Sequence, residues 1–535
     1  MTATELDRGV GSGMGRDTAV VTMCTLVSRV TGFGRVVATA AVLGSGLLGD
    51  VYQTANLIPN LLFELVAGGV LAGVLVPPFV LANRTGGREG LTAAVRSTTG
   101  VLLAALTAVA LVGMALSPLL ARLMVISEPL TGIRDDKLDV MVPMVLVFVP
   151  QLMCYGLAGV TSAALNARGR FVAAALAPAV NNVVVIGASV LFRASLHGMA
   201  ASLDLNRAQF VIIAGGTTLG VLAFSLTPAV ALQRDHIGWF PTWRPEHEAV
   251  QALRASFGWA TLSIVGTLVP TGVALALGNG APGGVAVFVY AFAFYVLPHA
   301  LVAVPIATTL APRVAQHVQE GEVEVAKRAV DSALRLAIPL LVLGTAGMMA
   351  LAWPITRVAA IGQTASQGLA PIAHTLVAFG PGLPGYGIAF VMTRVLFAMN
   401  DVRRAAQLMI GGAVAGVLSM TLAAALMPAS ERATALALGY GLAQTVAAVL
   451  LTARVHRLTG AMAPRVVARI FAESVAAALV AAFAMTLLCR AFDHSRREAI
   501  EAVLLGGTAG VAGFAVAMAL LRGGDLAAGR AHQTL

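Results

Sequence analysis

The sequence predicts an all-α polytopic membrane protein of about fourteen transmembrane helices, and three observations carry that prediction. Hydrophobic residues make up 58% of the 535 and charged residues 11%, against about 25% charged in soluble domains. The apolar residues run in blocks of about 20 or more between short polar breaks, the length that crosses a hydrocarbon core. Arginines dominate the breaks: of the Lys+Arg total of 35, only Lys137 and Lys327 are lysines.

In order, the expected spans are 18–44, 51–82, 91–121, 139–165, 171–192, 209–233, 250–278, 284–312, 327–353, 368–398, 405–427, 433–453, 466–489 and 499–521. Several exceed the minimum length, so tilt or extension beyond the bilayer is expected. With the N-terminus inside, basic residues on the inner segments outnumber those on the outer ones by about two to one. That bias, with an even number of spans, places both termini on the cytoplasmic side of the membrane. The net charge of +10 is read the same way, as arginine retained on one side of a membrane and not as a nucleic-acid surface.

Two sequence echoes indicate an internal repeat. Leu75-Val76-Pro77 is matched by Leu310-Ala311-Pro312, and Ala164-Leu165-Asn166 with its following basic pair by Ala398-Met399-Asn400 with Arg403-Arg404. Both lie about 235 residues apart, which suggests two six-helix lobes. Six is even, so the lobes form a parallel repeat. The expected organisation is a cytoplasmic tail (1–17), an N-lobe (18–233), a cytoplasmic linker with Pro241 and Pro245 (234–249), a C-lobe (250–453), two further helices (454–521) and a cytoplasmic tail (522–535).

Chemistry concentrates in the first two spans. Arg29 and Arg35 lie inside the first apolar stretch, where a mid-membrane arginine costs about 2.5–3.5 kcal/mol on insertion scales. Such residues normally face a partner or a watery cavity, and two of them near Gly32 and Gly34 point to a cavity that receives an anion. They lie about 9 Å apart along a helix and not on one strict face. One can bind substrate while the other pairs with Glu64 or Asp50; two structural ion pairs are the alternative. In the second span Gln53, Asn56, Asn60 and Glu64 recur at spacings that put them on one face. Pro59 removes a helix hydrogen bond beside them, and Gly68, Gly69 and Gly73 permit bending or close packing. The stripe reads as a cavity lining on a moving helix or as a polar seam between helices. Asn181 and Asn182 carry the same two readings. Arg394, near the inner end of the tenth span, is either functional or an interfacial anchor. His299 beside Pro298 reads as packing.

Cys24, Cys154 and Cys489 are odd in number and lie in apolar segments, so neither a disulfide framework nor a metal site is expected. The chain has no GxxxxGK[ST] loop, no HExxH and no GxSxG. A transporter without cofactor is expected, not an enzyme, energised by an ion or voltage gradient or by a partner.

Ser28-Arg29 and Gly32-Phe33-Gly34-Arg35, then Gly44, Asp50, Ile58-Pro59-Asn60-Leu61-Leu62, Gly69 and Val76-Pro77, resemble the MurJ (MviN) family of lipid II flippases. These belong to the multidrug/oligosaccharidyl-lipid/polysaccharide exporter superfamily. Arg394-Val395-Leu396-Phe397-Ala398-Met399-Asn400-Asp401 is similar to that family's Arg-x-Phe-Tyr-Ala-x-x-Asp region. The resemblance implies a flippase that moves the undecaprenyl-pyrophosphate-linked peptidoglycan precursor to the outer leaflet by alternating access around a cationic cavity. It matches the family's first-helix arginines to Arg29 and Arg35 and its aspartate before the second helix to Asp50. Taken with the polar stripe read from the chain itself, the expected substrate contacts are Arg29, Arg35, Asn56, Asn60 and Glu64, with gating or structural roles for Asp50, Gly32, Gly34, Pro59 and Arg394. Bending would involve Gly32, Gly34, Pro59 and Pro305. The implied partners are the lipid-linked precursor, membrane lipids and cell-wall synthesis proteins. Departures are evident: Phe63-Glu64 stands where the family often has an arginine pair, and Phe292-Ala293 where it has Asp-Arg. Fewer cations leave open an exporter of another lipid-linked glycan or of amphiphilic cations, and a non-transporting cell-wall scaffold.

Overall fold

The computed structural model describes residues 3–64, 71–129, 132–255, 259–359, 361–489 and 495–531, and those residues contain helices and no strand. They divide into two compact units. The first comprises Met1–Leu123 and Leu130–Ile264; the second comprises Met124–Pro129 and Val265–Leu535.

The first unit holds α1 (Ala3–Leu43), α2 (Leu47–Phe63), α3 (Leu71–Ala115), α4 (Ser117–Met124, whose last residue belongs to the second unit), α5 (Gly132–Phe148), α6 (Gln151–Ala167), α7 (Val172–Ser195), α8 (Arg207–Phe210), α9 (Gly216–Arg234) and α10 (Glu248–Ala255). Helix α1 packs along α7, α3 along α6, α2 on α5, and α9 on both α6 and α7. Lipid supplies little hydrophobic drive between helices, so close contact must do the work. Accordingly, Gly216 lies against Ala188, and Gly220 against Asn181 and Val185, where α9 meets α7.

Helix α11 (Trp259–Gly278) runs across the boundary. The second unit continues with α12 (Gly284–Gln319), α13 (Val323–Ala350), α14 (Ala352–Ala359), α15 (Gln363–Gln367), α16 (Ala370–Phe379), α17 (Leu383–Ala398), α18 (Val402–Leu426), α19 (Arg432–Thr459), α20 (Pro464–Cys489) and α21 (Arg496–Ala531). Glycines again set the crossings: Gly412 and Gly416 of α18 pack on Ala447 and Ala443 of α19, and Gly385 of α17 on Thr445. Helices α20 and α21 pair with each other and dock on α13 and α14 respectively. Leu301, Leu520 and Leu426 are 77%, 72% and 76% exposed, as expected of faces turned to lipid and not to water.

Among the described residues, 12 helices are long and apolar enough to cross a membrane. The two remaining expected spans, 51–82 and 250–278, run through segments outside the described residues. The basic stretch after Pro77 holds a break between the expected spans 51–82 and 91–121: α3 is two helical arms kinked at Gly87 (φ 57°, ψ −141°), and the chain folds back so that a Cβ at Gly90 would meet the Ala82 carbonyl. One local expectation needs correction. Backbone helix extends into both expected tails, from Ala3 and as far as Ala531. Neither tail contains a proline to stop it.

Candidate functional site

The polar residues predicted from the first two spans lie on α1 and α2 of the first unit. The two helices are joined by a turn in which Gly44 adopts φ 70°, a left-handed conformation open to glycine. Beyond it, Asp50 is fully buried in the first turn of α2. An acid there complements the positive end of the helix. Pro59 lies inside α2, and Glu64 caps it, its N–H donating to the carbonyls of Asn60 and Leu61.

Arg29 is exposed on α1 and Arg35 is half-buried two turns later. Among the described residues neither forms an ion pair with an acid. That removes the reading of two structural ion pairs among those residues. Two phenols, Tyr52 of α2 and Tyr155 of α6, lie within electrostatic reach of Arg35. The Tyr52 hydroxyl lies 2.9 Å from Thr217 Oγ1, and Tyr52 meets Phe148 edge-on with ring centres 6.2 Å apart. Tyr155 packs against Phe63 at 5.3 Å and Phe224 at 6.2 Å. These ring contacts join α2, α5, α6 and α9. Sequence reasoning missed Tyr155; its only signal was a tyrosine within an otherwise apolar span.

On α2, Asn56, Asn60 and Glu64 are half-buried, while Gln53 is buried at 7% exposure. The stripe thus runs from a packed start to an accessible end. Gly68 and Gly69 lie outside the described residues, and the side-chain surroundings of Gly73 are also undescribed. The two asparagines of α7 separate in role. Asn182 donates to the Ser28 carbonyl and contacts Thr31 Oγ1, both at 3.3 Å, so it ties α7 to α1. Asn181 faces Gly220 of α9. Both are interhelical seam residues. Gly32 and Gly34 serve the same seam: a Cβ at Gly32 would lie 3.3 Å from Asn182 Nδ2, and one at Gly34 would lie 3.7 Å from Ile186.

Arg394, in the second unit, is exposed and stacks over Phe390, with 5.4 Å from Cζ to the ring centre. The structure does not bring it together with another predicted site residue. In its neighbourhood Arg454 Nε donates to Asp401 at 2.7 Å, tying α19 to the start of α18. His299 packs in an aromatic cluster, 4.1 Å from Tyr386 and 5.1 Å from Phe390, as the packing reading expected. Beyond that cluster, an apolar cavity of about 410 Å³ lies among α13, α17, α19 and α20, lined in part by Leu334, Ile338, Pro384, Ile388, Ala448 and Phe471. At the end of α12, His317, Glu320 and Glu322 converge at the surface, His317 Nδ1 lying 2.9 Å from Glu322 and 3.6 Å from Glu320.

The family model "Lipid II flippase MurJ" matches residues 39–497. The chain belongs to the lipid II flippase MurJ family. The matched span begins after Arg29 and Arg35, so the two arginines rest on the reading of the chain itself. The chain is 28% identical over 446 residues to the "Probable lipid II flippase MurJ" of Rhizobium meliloti (strain 1021), covering 81% of this chain and 79% of the relative. It is 25% identical over 400 residues to the "Lipid II flippase MurJ" of Burkholderia cenocepacia, covering 72% and 74%. The fold is similar to a solved MurJ in an inward closed conformation, with a TM-score of 0.73 at 18% identity, covering 95% of this chain and all of that one. An inward-facing multidrug resistance transporter of the MATE family matches at 0.63 and 16% identity, covering 83% of this chain and 99% of that one. The family is thus one of membrane transporters with an all-helical, multi-pass fold.

Proposed function

We propose that this chain is a lipid II flippase, moving the undecaprenyl-pyrophosphate-linked peptidoglycan precursor from the inner to the outer leaflet of a bacterial plasma membrane. One observation carries the reading beyond family membership. Arg29 and Arg35 stand in a membrane helix with no acidic partner among the described residues, so they present positive charge to whatever enters beside α1. A pyrophosphate cannot cross hydrocarbon bare, because burying an unpaired charge is very costly. Guanidinium groups offer it bidentate, charge-assisted hydrogen bonds.

In this mechanism Arg29, the more exposed, meets the head group first, and Arg35, two turns further along α1, holds it. Asn56, Asn60 and Glu64 offer hydrogen bonds along the path. The prenyl chain stays in the lipid while the head group crosses. Alternating access bends helices at Pro59 and Pro305 and at Gly32 and Gly34. Asp50 holds the start of α2 and Arg394 anchors α17. Both termini face the cytoplasm, and cell-wall synthesis proteins act on the delivered precursor.

The test is precursor exposure in cells depleted of this protein, read with an external probe that attacks only lipid II on the outer leaflet. Wild type restores labelling. The Arg29→Ala/Arg35→Ala variant, at equal expression, lowers it at least about tenfold, since each charge-assisted bond is worth about 1.5–3 kcal/mol. Full labelling with the double variant removes this site assignment. Unchanged labelling on depletion, in a strain without a second flippase, removes the cargo assignment.

A further inference from the structure

A second basic site lies in the first unit, well along the chain from the arginines of α1. A cleft of about 410 Å³ between α3 and the segment after α9 is lined by Arg88, Glu89, Arg96, His236, Thr242 and Arg244, among others. Its construction is specific. Helix α3 resumes its helical path immediately after Gly87, and Arg88, Thr92 and Arg96 then follow at four-residue steps along one stripe. The opposite wall is fixed by backbone contacts. Thr242 N–H donates to the Arg96 carbonyl at 3.0 Å, and Arg96 Nε donates to the Phe240 carbonyl at 3.2 Å. At Gly100 any Cβ would run into the Thr242 carbonyl, so the segment lies directly on the helix.

The charges in this cleft are unbalanced. Three guanidiniums and an imidazole face it, with one carboxylate, Glu89. Among the described residues Arg88, Arg96 and Arg244 form no ion pair. The contrast with nearby arginines is direct, since Arg170 and Arg168 reach Asp235 at 2.6 and 3.8 Å. Unpaired arginine forks beside threonine and serine hydroxyls suit the oxygens of a phosphate. Phe240 and Trp243, on the same segment, are 58% and 67% exposed. Exposed aromatic side chains beside arginines are the pattern of a membrane interface, at head-group depth.

We propose that this cleft binds a phosphate group, and that its occupant is the head group of an anionic lipid in the adjacent leaflet. The chemistry is that of basic pockets which hold anionic lipid head groups. The proposal is independent of the transported cargo.

The experiment uses the full chain purified in detergent. Binding of short-chain phosphatidylglycerol, short-chain phosphatidylcholine and inorganic phosphate is followed by native mass spectrometry and by competition. Arg88→Gln/Arg244→Gln removes two exposed charges whose side chains make no hydrogen bond among the described residues. Arg96→Lys keeps its charge and tests the fork, and Arg29→Ala/Arg35→Ala controls for the α1 site. The expected result is at least tenfold preference for phosphatidylglycerol over phosphatidylcholine, lost in Arg88→Gln/Arg244→Gln and retained in the α1 variant. Competition by millimolar phosphate together with equal binding of the two lipids makes a free anion the occupant and overturns the lipid assignment. Equal binding by wild type and Arg88→Gln/Arg244→Gln overturns the proposal, as does loss confined to the α1 variant.

Discussion

In the first unit, α1 and α2 carry arginines, asparagines and a glutamate at membrane depth. In the second, α12, α16, α17 and α19 enclose a cluster of rings, with Tyr295 fully buried and 4.7, 5.4 and 5.6 Å from the centres of Phe379, Tyr386 and Phe292. Both units are helical bundles knitted by small residues, yet one holds charge that its own described residues do not neutralise and the other holds rings that satisfy each other. Unneutralised charge in a membrane helix costs stability and is expected where a ligand completes it. Ring clusters add packing energy. On the proposed function, the comparison separates a region that binds from one that holds.

The sharpest way to break that division is to disturb the second region. Tyr295→Ala leaves a cavity among the rings of Phe292, Phe379, Tyr386 and Tyr440 and is expected to cost about 3–5 kcal/mol, by analogy with large aromatic truncations in cores. The readout is the thermal midpoint in detergent. Arg29→Ala/Arg35→Ala, in contrast, should leave that midpoint unchanged or raise it. If the double variant falls as far as Tyr295→Ala, the α1 arginines are structural and the contrast fails.

A smaller effect sharpens what pairing means for an arginine in this chain. Asp235 is 7% exposed and receives Arg170 and Arg168 at the end of α9. Asp235→Asn weakens the clip between the α6–α7 connection and α9, and should cost about 1–2 kcal/mol, limited because Arg170 is largely exposed. Faster proteolysis of residues 235–247 with transport preserved is the expected signature. Loss of transport at normal stability would show that the clip takes part in the cycle.

Least is expected of Gly32→Ala. The new Cβ would press on Asn182 Nδ2 at 3.3 Å, while alanine gains helix propensity over glycine. The opposed terms leave stability within about 1 kcal/mol of wild type. A loss well beyond that, by thermal midpoint, would mean that the α1–α7 seam cannot yield even a few tenths of an ångström.

Composition and periodicity alone determined the membrane class, the helical fold, the polar stripe of α2 and the out-of-place arginines of α1. These follow from local rules: twenty apolar residues span a bilayer, and four-residue spacing makes a face. Tertiary structure decided what each polar residue meets. Asn182 and Asn181 became seam residues because α7 is wedged between α1 and α9. Tyr52 gained Thr217, 165 positions away, where α9 reaches α2. Arg88, Arg96 and Arg244 came together only because Thr242 and Phe240 pin a distant segment onto α3. Spacing along one helix is written in the chain, but partners from different helices are set by which faces pack, and that is a property of the folded bundle.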